Sequence, residues 1–197
     1  RPDSIDDEIL NFLEEIKSQH NIEISIELGL QTVNYKTLNK INRGHSLAEF
    51  IDAVRMIKEK DFLVAVHMIL NLPWDEEDDI IEGAKVLSAL KVDFVKLHSL
   101  YILKDTVLGK QYQNNEFELI SVDDYVNRAI LFLRYLNPEI VVQRLLARAP
   151  KEKTLFCNWD MSWWKIKDMI DLAMEEKDFN QGDLFNYLNG KTLKRFR

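Results

Sequence analysis

Several stretches place polar side chains where a strand buried on both faces would carry apolar ones. In "IELGLQTVNYKTLNKINRGHS", residues 26–46, Glu27, Gly29 and Gln31 alternate with Ile26, Leu28 and Leu30. Side chains alternate across a strand, so the three share one face. The next apolar run, "DFLVAVHMILN", puts His67 and Asn71 on a face with Ala65 and Ile69. "VDFVKLHSL" aligns Lys96 and His98 with Phe94, and "EIVVQRLL" sets Gln143 beside Arg144. Burying an amide or hydroxyl without a partner costs on the order of 1–3 kcal/mol, and a charge costs more. Polar groups recurring on successive strands therefore point to a polar ligand at the carboxyl ends, where parallel α/β folds bind theirs. A lone glutamine or histidine at a strand end also serves as an ordinary structural hydrogen-bond partner, and Lys96 is a side chain that can reach solvent along its stem.

These strands need helices between them. Ile5, Ile9, Phe12, Leu13 and Ile16 form a helical stripe over residues 5–19, with Asp3 and Ser4 as expected caps. Residues 22–30 read as the first strand, and Asn34 starts a short helix carrying Leu38 and Ile41. Ser46 and Glu49 form a capping box ahead of the stripe Leu47, Phe50, Val54 and Ile57. Strand 61–70 is followed by "NLPWDEEDD", whose acids suit the N-terminus of a helix running to about residue 90. Strand 92–100 leads into irregular chain with a short helix over 106–113. Ser121 and Asp124 open a long helix ended by Asn137-Pro138, and 139–146 is the fourth strand. A last helix is expected over about 162–177 beside Trp159, Trp163 and Trp164, ahead of a basic tail at 191–197. Strand and helix alternating four times predict a parallel sheet with right-handed crossovers: an open sheet or half of a barrel.

The composition bounds the partners. The chain has 197 residues, 46% hydrophobic and 30% charged, as in an ordinary globular protein. A net charge of −7 argues against a broad phosphate-binding surface, although Arg144, Arg148, Lys151 and Lys153 make a local basic run. The single cysteine, Cys157, excludes an internal disulfide and cannot by itself hold an iron–sulfur cluster or tetrahedral zinc. A cytoplasmic home is the expectation. No apolar run approaches the roughly 20 residues of a membrane span. The start at Arg1 reads as that of a piece of something longer or of a processed product.

The segments "LGLQT", "INRGH" and "HMILNLPWDEE", in this order, resemble the radical S-adenosylmethionine (SAM) enzymes. "RPDSIDDEIL" and "KLHSLYILKDT" resemble in particular the YhcC-like subgroup, related to the coproporphyrinogen dehydrogenase, Elongator-type and methylthiotransferase enzymes. The resemblance runs over about residues 1–147 and more loosely beyond. It implies a partial (βα)6 TIM-type barrel in which SAM lies across the strand ends over a [4Fe-4S] cluster. There, an electron from the cluster releases a radical that takes a hydrogen atom from the substrate. It further implies cofactor contacts at Gln31 and Arg43, the arginine pairing with the SAM carboxylate, and places His67, Glu27 and Asn71 in the same site. His67 stands where relatives often carry aspartate, and Asn71 replaces a glycine.

The C-x3-C-x2-C loop of the family and its glycine-rich loop are not in this sequence. The expectation is therefore a half-barrel, residues 1–150, holding strands four to six, with a helical extension over 151–197. SAM and the cluster would belong to the full-length parent, with neither expected on this chain alone. The parent would be an oxidoreductase, with a modified tRNA nucleoside as the guessed substrate. The first strand would expose an edge at residues 23–30, inviting a homodimer or a covering segment. Two other readings stand beside this one. One is a non-catalytic half-barrel binding a nucleotide-like ligand or a protein partner. The other is a metal-free hydrolase or lyase using His67, His98 and Glu27 as acid–base groups.

Overall fold

A computed structural model describes residues 1–146 and 153–186. Each expected strand and helix forms, with shifted boundaries. The strands are β1 (Ser25–Gln31), β2 (Leu63–Ile69), β3 (Phe94–His98), β4 (Tyr101–Leu103), β5 (Val141–Arg144) and β6 (Thr154–Cys157). The helices are α1 (Asp7–His20), α2 (Tyr35–Lys40), α3 (Leu47–Glu59), α4 (Glu77–Ala89), α5 (Val107–Gln113), α6 (Val122–Tyr135) and α7 (Trp163–Glu176). The order β1-β2-β3-β5 builds one parallel sheet with β1 at an edge, the open sheet that the spacing allows and the half of a partial barrel that the resemblance implies.

Local chemistry sets the helix starts. Asn34 accepts from the amides of Lys36 and Thr37, and Ser46 with Glu49 and Ser121 with Asp124 close capping boxes. One expected cap is corrected. Asp6, not Asp3 or Ser4, caps α1, accepting from the Ile9 amide at 2.8 Å, while Pro2–Ser4 forms a separate 3-10 turn.

One face of the sheet carries Leu28, Leu30, Val64, Val66, Met68, Val95 and Leu97, none more than 2% exposed. Phe50, Val54 and Ile57 of α3, Ile80, Ala84 and Leu87 of α4, and Ala129 and Phe132 of α6 cover it. Gly83 lets α4 come close to β2, since a Cβ there would lie 2.9 Å from Met68 Cε. The opposite, concave face carries the alternate residues.

The stretch expected to be irregular after β3 instead contains β4, which pairs antiparallel with β6. Leu72, Leu100 and Ile102 form a second apolar cluster with Ile41, Ile69, Leu108 and Phe156. The tryptophans do not form one group. Trp159 packs on Tyr125 and Phe156, Trp163 lines a cleft beside β5, and Trp164 is 51% exposed. The basic tail, Arg148 and Lys151 lie outside the described residues.

Candidate functional site

The concave face gathers most of the polar residues singled out above. Parallel pairing sets Gly29 beside His67 and His67 beside Lys96, and sets Ile69 beside His98. Four of these side chains form one chain of contacts. Lys96 Nζ pairs with Glu27 Oε1, and His67 Nε2 lies 2.8 Å from Glu27 Oε2. His67 Nδ1 lies 3.1 Å from His98 Nε2, with the two rings stacked at 5.1 Å between centroids. Lys96 therefore bridges back over β2 to the carboxylate on β1 instead of reaching into solvent.

These contacts set the protonation states. The hydrogen bond from Lys96, then that from His67, holds the Glu27 carboxyl below its ordinary range. Burial lowers His98 to about 4, and the neighbouring His67, Arg144 and Lys96 push the same way. Both nitrogens of His67 are engaged within the chain, whereas His98 Nδ1 has no partner among the described residues.

A second group forms at the carboxyl end of β1. The strand bulges between Gly29 and Gln31, and Gln31 takes φ 74°, in the left-handed region that non-glycine residues rarely occupy. Such local strain persists where surrounding structure holds it and is found at ligand sites. A side chain at Gly29 would collide with Gln31 Nε2 and Arg43 Nη2. The missing Cβ thus lets an amide and a guanidinium converge on the same few ångströms of backbone. Arg43 Nη2 donates to Gly29 O at 2.9 Å, and Arg43 Nε donates to His45 Nε2 at 3.0 Å. His45 Nδ1–H then faces Ser46 O at 3.2 Å.

Arg43 has no carboxylate partner among the described residues, and burial lowers its pKa. The guanidinium is half-buried and has two of its five N–H groups engaged, which leaves three donors without a partner among the described residues. Pairing of β1 with β2 begins with the Leu63 amide donating to Ile24 O, so alternation turns the Gly29 carbonyl toward the free edge of β1. Arg43 and His45 cover that edge at this point.

Asn71 stands apart from both groups. It is 1% exposed, its Oδ1 accepts from the Leu100 amide at 2.6 Å, and its Nδ2 has no partner. It fixes the turn after β3 from beneath. Asp75, one acid of the run read as a helix N-terminus, is also buried, and its carboxyl is raised by burial. The hydroxyls of Thr32 and Thr37 approach it without hydrogen-bond geometry, leaving both oxygens unpartnered. Arg128 Nη2 donates to Asp75 O at 2.7 Å and Nη1 to Leu70 O at 3.1 Å, pinning the loop after β2. His45 and Arg128 were not visible as site-shaping residues in the sequence. The only hint was that His45 directly follows Arg43-Gly44.

The class the fold defines is an open parallel α/β half-barrel, here with polar groups on its uncovered face and an arginine lacking a counter-ion at its strand ends. Comparison with known proteins gives the family. Residues 1–87 match the Radical SAM superfamily, and residues 92–176 match the Radical_SAM C-terminal domain. The chain belongs to the radical SAM superfamily, in its YhcC-like branch. It is 32% identical to YtqA of Bacillus subtilis over 95% of this chain and 58% of that protein. YhcC of Escherichia coli is 32% identical over 89% of this chain and 57% of its own length. The chain thus spans a little over half the length of these curated relatives. A more distant relative is the tRNA-2-methylthio-N(6)-dimethylallyladenosine synthase of Thermosipho africanus, 26% identical over 74% of this chain and 33% of that protein. The archaeal Methanocaldococcus infernus Elp3 has the same fold, with a TM-score of 0.77 at 18% identity over 92% of this chain and 41% of that one.

The two groups that the family employs fare differently against these residues. A [4Fe-4S] cluster does not fit, because the chain has a single cysteine. No group of three or more His, Cys, Asp or Glu among the described residues is placed to hold a metal. A carboxylate-bearing cofactor is compatible with the strand end, where Arg43 donates to Gly29 O and His45 Nε2 and has no carboxylate partner among the described residues. No helix among the described residues is long and apolar enough to cross a membrane.

Proposed function

We propose that the concave face is the part of a radical SAM site that receives SAM itself. The observation that carries this reading is Arg43. Its guanidinium is held against Gly29 with no carboxylate to neutralise it, at the end of a strand where ligands of parallel α/β folds sit. Arg43 would take the SAM carboxylate and Gln31 a polar group beside it. Glu27 and His67, already joined, would supply the wall behind, and Asn71 would hold the floor through Leu100. When SAM is bound next to a reduced cluster it supplies the radical chemistry of the superfamily, and the cysteines for that cluster are not among these residues. The supporting facts are the superfamily match over residues 1–87 and the convergence of Gln31 and Arg43 over Gly29.

We take a nucleoside in tRNA as the reading for the whole protein, supported by the relative that makes a modified tRNA adenosine. Arg144, exposed on β5 and without a partner among the described residues, is a cation available to a phosphate at the rim of the same face.

Calorimetric titration of the chain with SAM tests the cofactor reading. Binding by this chain alone should be weak, because the rest of the site would belong to the full-length parent, and Arg43→Ala should reduce it about 10- to 100-fold, because hydrogen bonds to charged groups are worth about 1.5–3 kcal/mol. Absence of binding, or equal binding by the variant, removes Arg43 from the site and the reading with it.

A further inference from the structure

Glu27, His67 and His98 are linked in one direction only. The Glu27 carboxylate, held ionised by Lys96, can only accept, so the proton facing it belongs to His67 Nε2. In neutral His67, Nδ1 is then an acceptor, and the hydrogen at the 3.1 Å contact with His98 is carried by His98 Nε2. That leaves His98 Nδ1 as a lone pair with no partner among the described residues, on the ring nearest the carboxyl end of β3. Both imidazoles are thereby assigned the Nε2–H tautomer by a carboxylate two strands away. Each link is a real hydrogen-bond distance, and the two rings are stacked so that neither turns without breaking it.

We propose that Glu27, His67 and His98 form a proton relay whose open end, His98 Nδ1, takes a proton from an N–H or O–H group of a ligand on the concave face. The X–H bond of the ligand breaks and a bond forms at His98 Nδ1. The proton on His98 Nε2 crosses to His67 Nδ1. The products are the ligand anion, a neutral His98 now in the Nδ1–H form, and a His67 imidazolium against the Glu27 carboxylate. No electrons move between molecules, so no oxidant or reductant is required.

His98 is the catalytic residue of this scheme, and Glu27 and His67 position and charge it. The charged groups facing the rings decide where the proton rests. Lys96 on β3 and Arg144 on β5 disfavour a cation at His98, while Glu27 on β1 lies directly against His67. Burial acts in the same sense, keeping His98 neutral down to about 4. The relay rests on the proposed ligand site, since it needs a ligand on that face, but its wiring exists without one.

Imidazole nitrogen NMR on the ligand-free chain reads the wiring directly. The four histidines are assigned by single substitution to glutamine. At neutral pH both His67 and His98 are expected as Nε2–H tautomers. Above about pH 4, where His98 stays neutral, any proton the pair takes up on acidification should appear on His67, with His98 converting to Nδ1–H. Glu27→Gln gives a second reading. Lys96 retains the amide oxygen, the amide N–H turns to His67 Nε2, and both rings should invert to Nδ1–H. A His98 that is Nδ1–H at neutral pH, or that takes the charge itself above about pH 4, overturns the proposal, as do unchanged tautomers in the glutamine variant. SAM plays no part in this measurement. A failed SAM titration with correct tautomers refutes the cofactor site alone, and wrong tautomers with sound SAM binding refute the relay alone.

Discussion

The two faces of one sheet differ more than any two elements of the molecule. On the helix side, Leu28, Val66, Val95 and Leu97 are sealed under three helices. On the concave side, polar residues stand among Ala65, Ile69 and Phe94, and the polar ones are satisfied mainly by one another: Glu27 by Lys96 and His67, His67 by His98. The same backbone carries an apolar core on one face and a linked set of polar groups on the other. A strand with period 2 permits this because neighbouring residues never share an environment. The polar side stays open because its groups pair laterally across strands rather than under a cover. Where pairing is incomplete, at Arg43, Arg144 and His98 Nδ1, a ligand has something to meet.

If the faces divide labour in this way, substitutions should separate cleanly. The largest effect is expected on the helix side. Leu97→Ala should lower stability by about 2–5 kcal/mol, the range for a buried leucine truncation. Urea unfolding measures it, and a loss comparable to that of a surface substitution would show that the helix layer does not carry the fold.

On the concave side the largest effect should come from pH. The folded-state pKa of His98 is about 4, below its unfolded value near 6.5. Between those values the unfolded chain binds the extra proton, so stability is full above about pH 6.5 and falls as pH drops toward 4. The loss is on the order of 1–3 kcal/mol, since each tenfold change in proton affinity is worth about 1.4 kcal/mol and solvent screens the exposed part of the ring. His98→Gln should flatten this segment of the stability profile. If wild type and variant fall in parallel through that window, burial of His98 is not what makes the face acid-sensitive.

Two carboxyls should then bend the profile in opposite directions. Glu27, held low by Lys96 and His67, adds stability above the ordinary carboxylate range that is lost as pH falls through its folded pKa. Asp75, raised by burial, does the reverse. Its ionisation disfavours the folded state, so stability declines as pH rises from the ordinary carboxylate range toward its folded pKa. Asp75→Asn should therefore remove that decline, and Glu27→Gln should remove the acid-side loss. Difference profiles with the same sign for both would contradict the assigned environments.

The smallest stability effect should be that of Arg43→Ala, on the order of 1–2 kcal/mol, since the part-buried arginine donates to Gly29 O and His45 Nε2 but makes no ion pair. Its cost should appear in ligand binding instead. Thermal unfolding that drops as far as in Leu97→Ala would make Arg43 a structural residue and blur the contrast between the faces.

The fold was legible where the signals were local. Capping boxes at Ser46/Glu49 and Ser121/Asp124, the Asn34 cap, and the apolar stripes of α3 and α6 all act within a turn or two of chain. Period-2 alternation likewise placed Glu27 and Gly29 on one face, but the bulge after Gly29 breaks the alternation, and Gln31 meets Gly29 only because its side chain turns back over it. The pairing of β4 with β6 was hidden because its short strands lie far apart in sequence and read as irregular chain alone. Within the site, the reading of Lys96 as a solvent-seeking side chain missed Glu27 because the two sit on strands that are not neighbours. His45 and Asp75 were passed over for a similar reason. Nothing in "NRGHS" or "WDEEDD" tells a residue turned toward a strand end from one turned to water.

Backbone amide shift mapping during a SAM titration puts the concave-face account to its most direct test. The largest changes are predicted at Gly29, Gln31 and Arg43, with smaller ones along His67 and His98. Changes confined to the helix-covered side, or to the cleft of about 760 Å³ between β5, α6 and α7 lined by Leu133, Leu146, Trp163 and Met174, would contradict it.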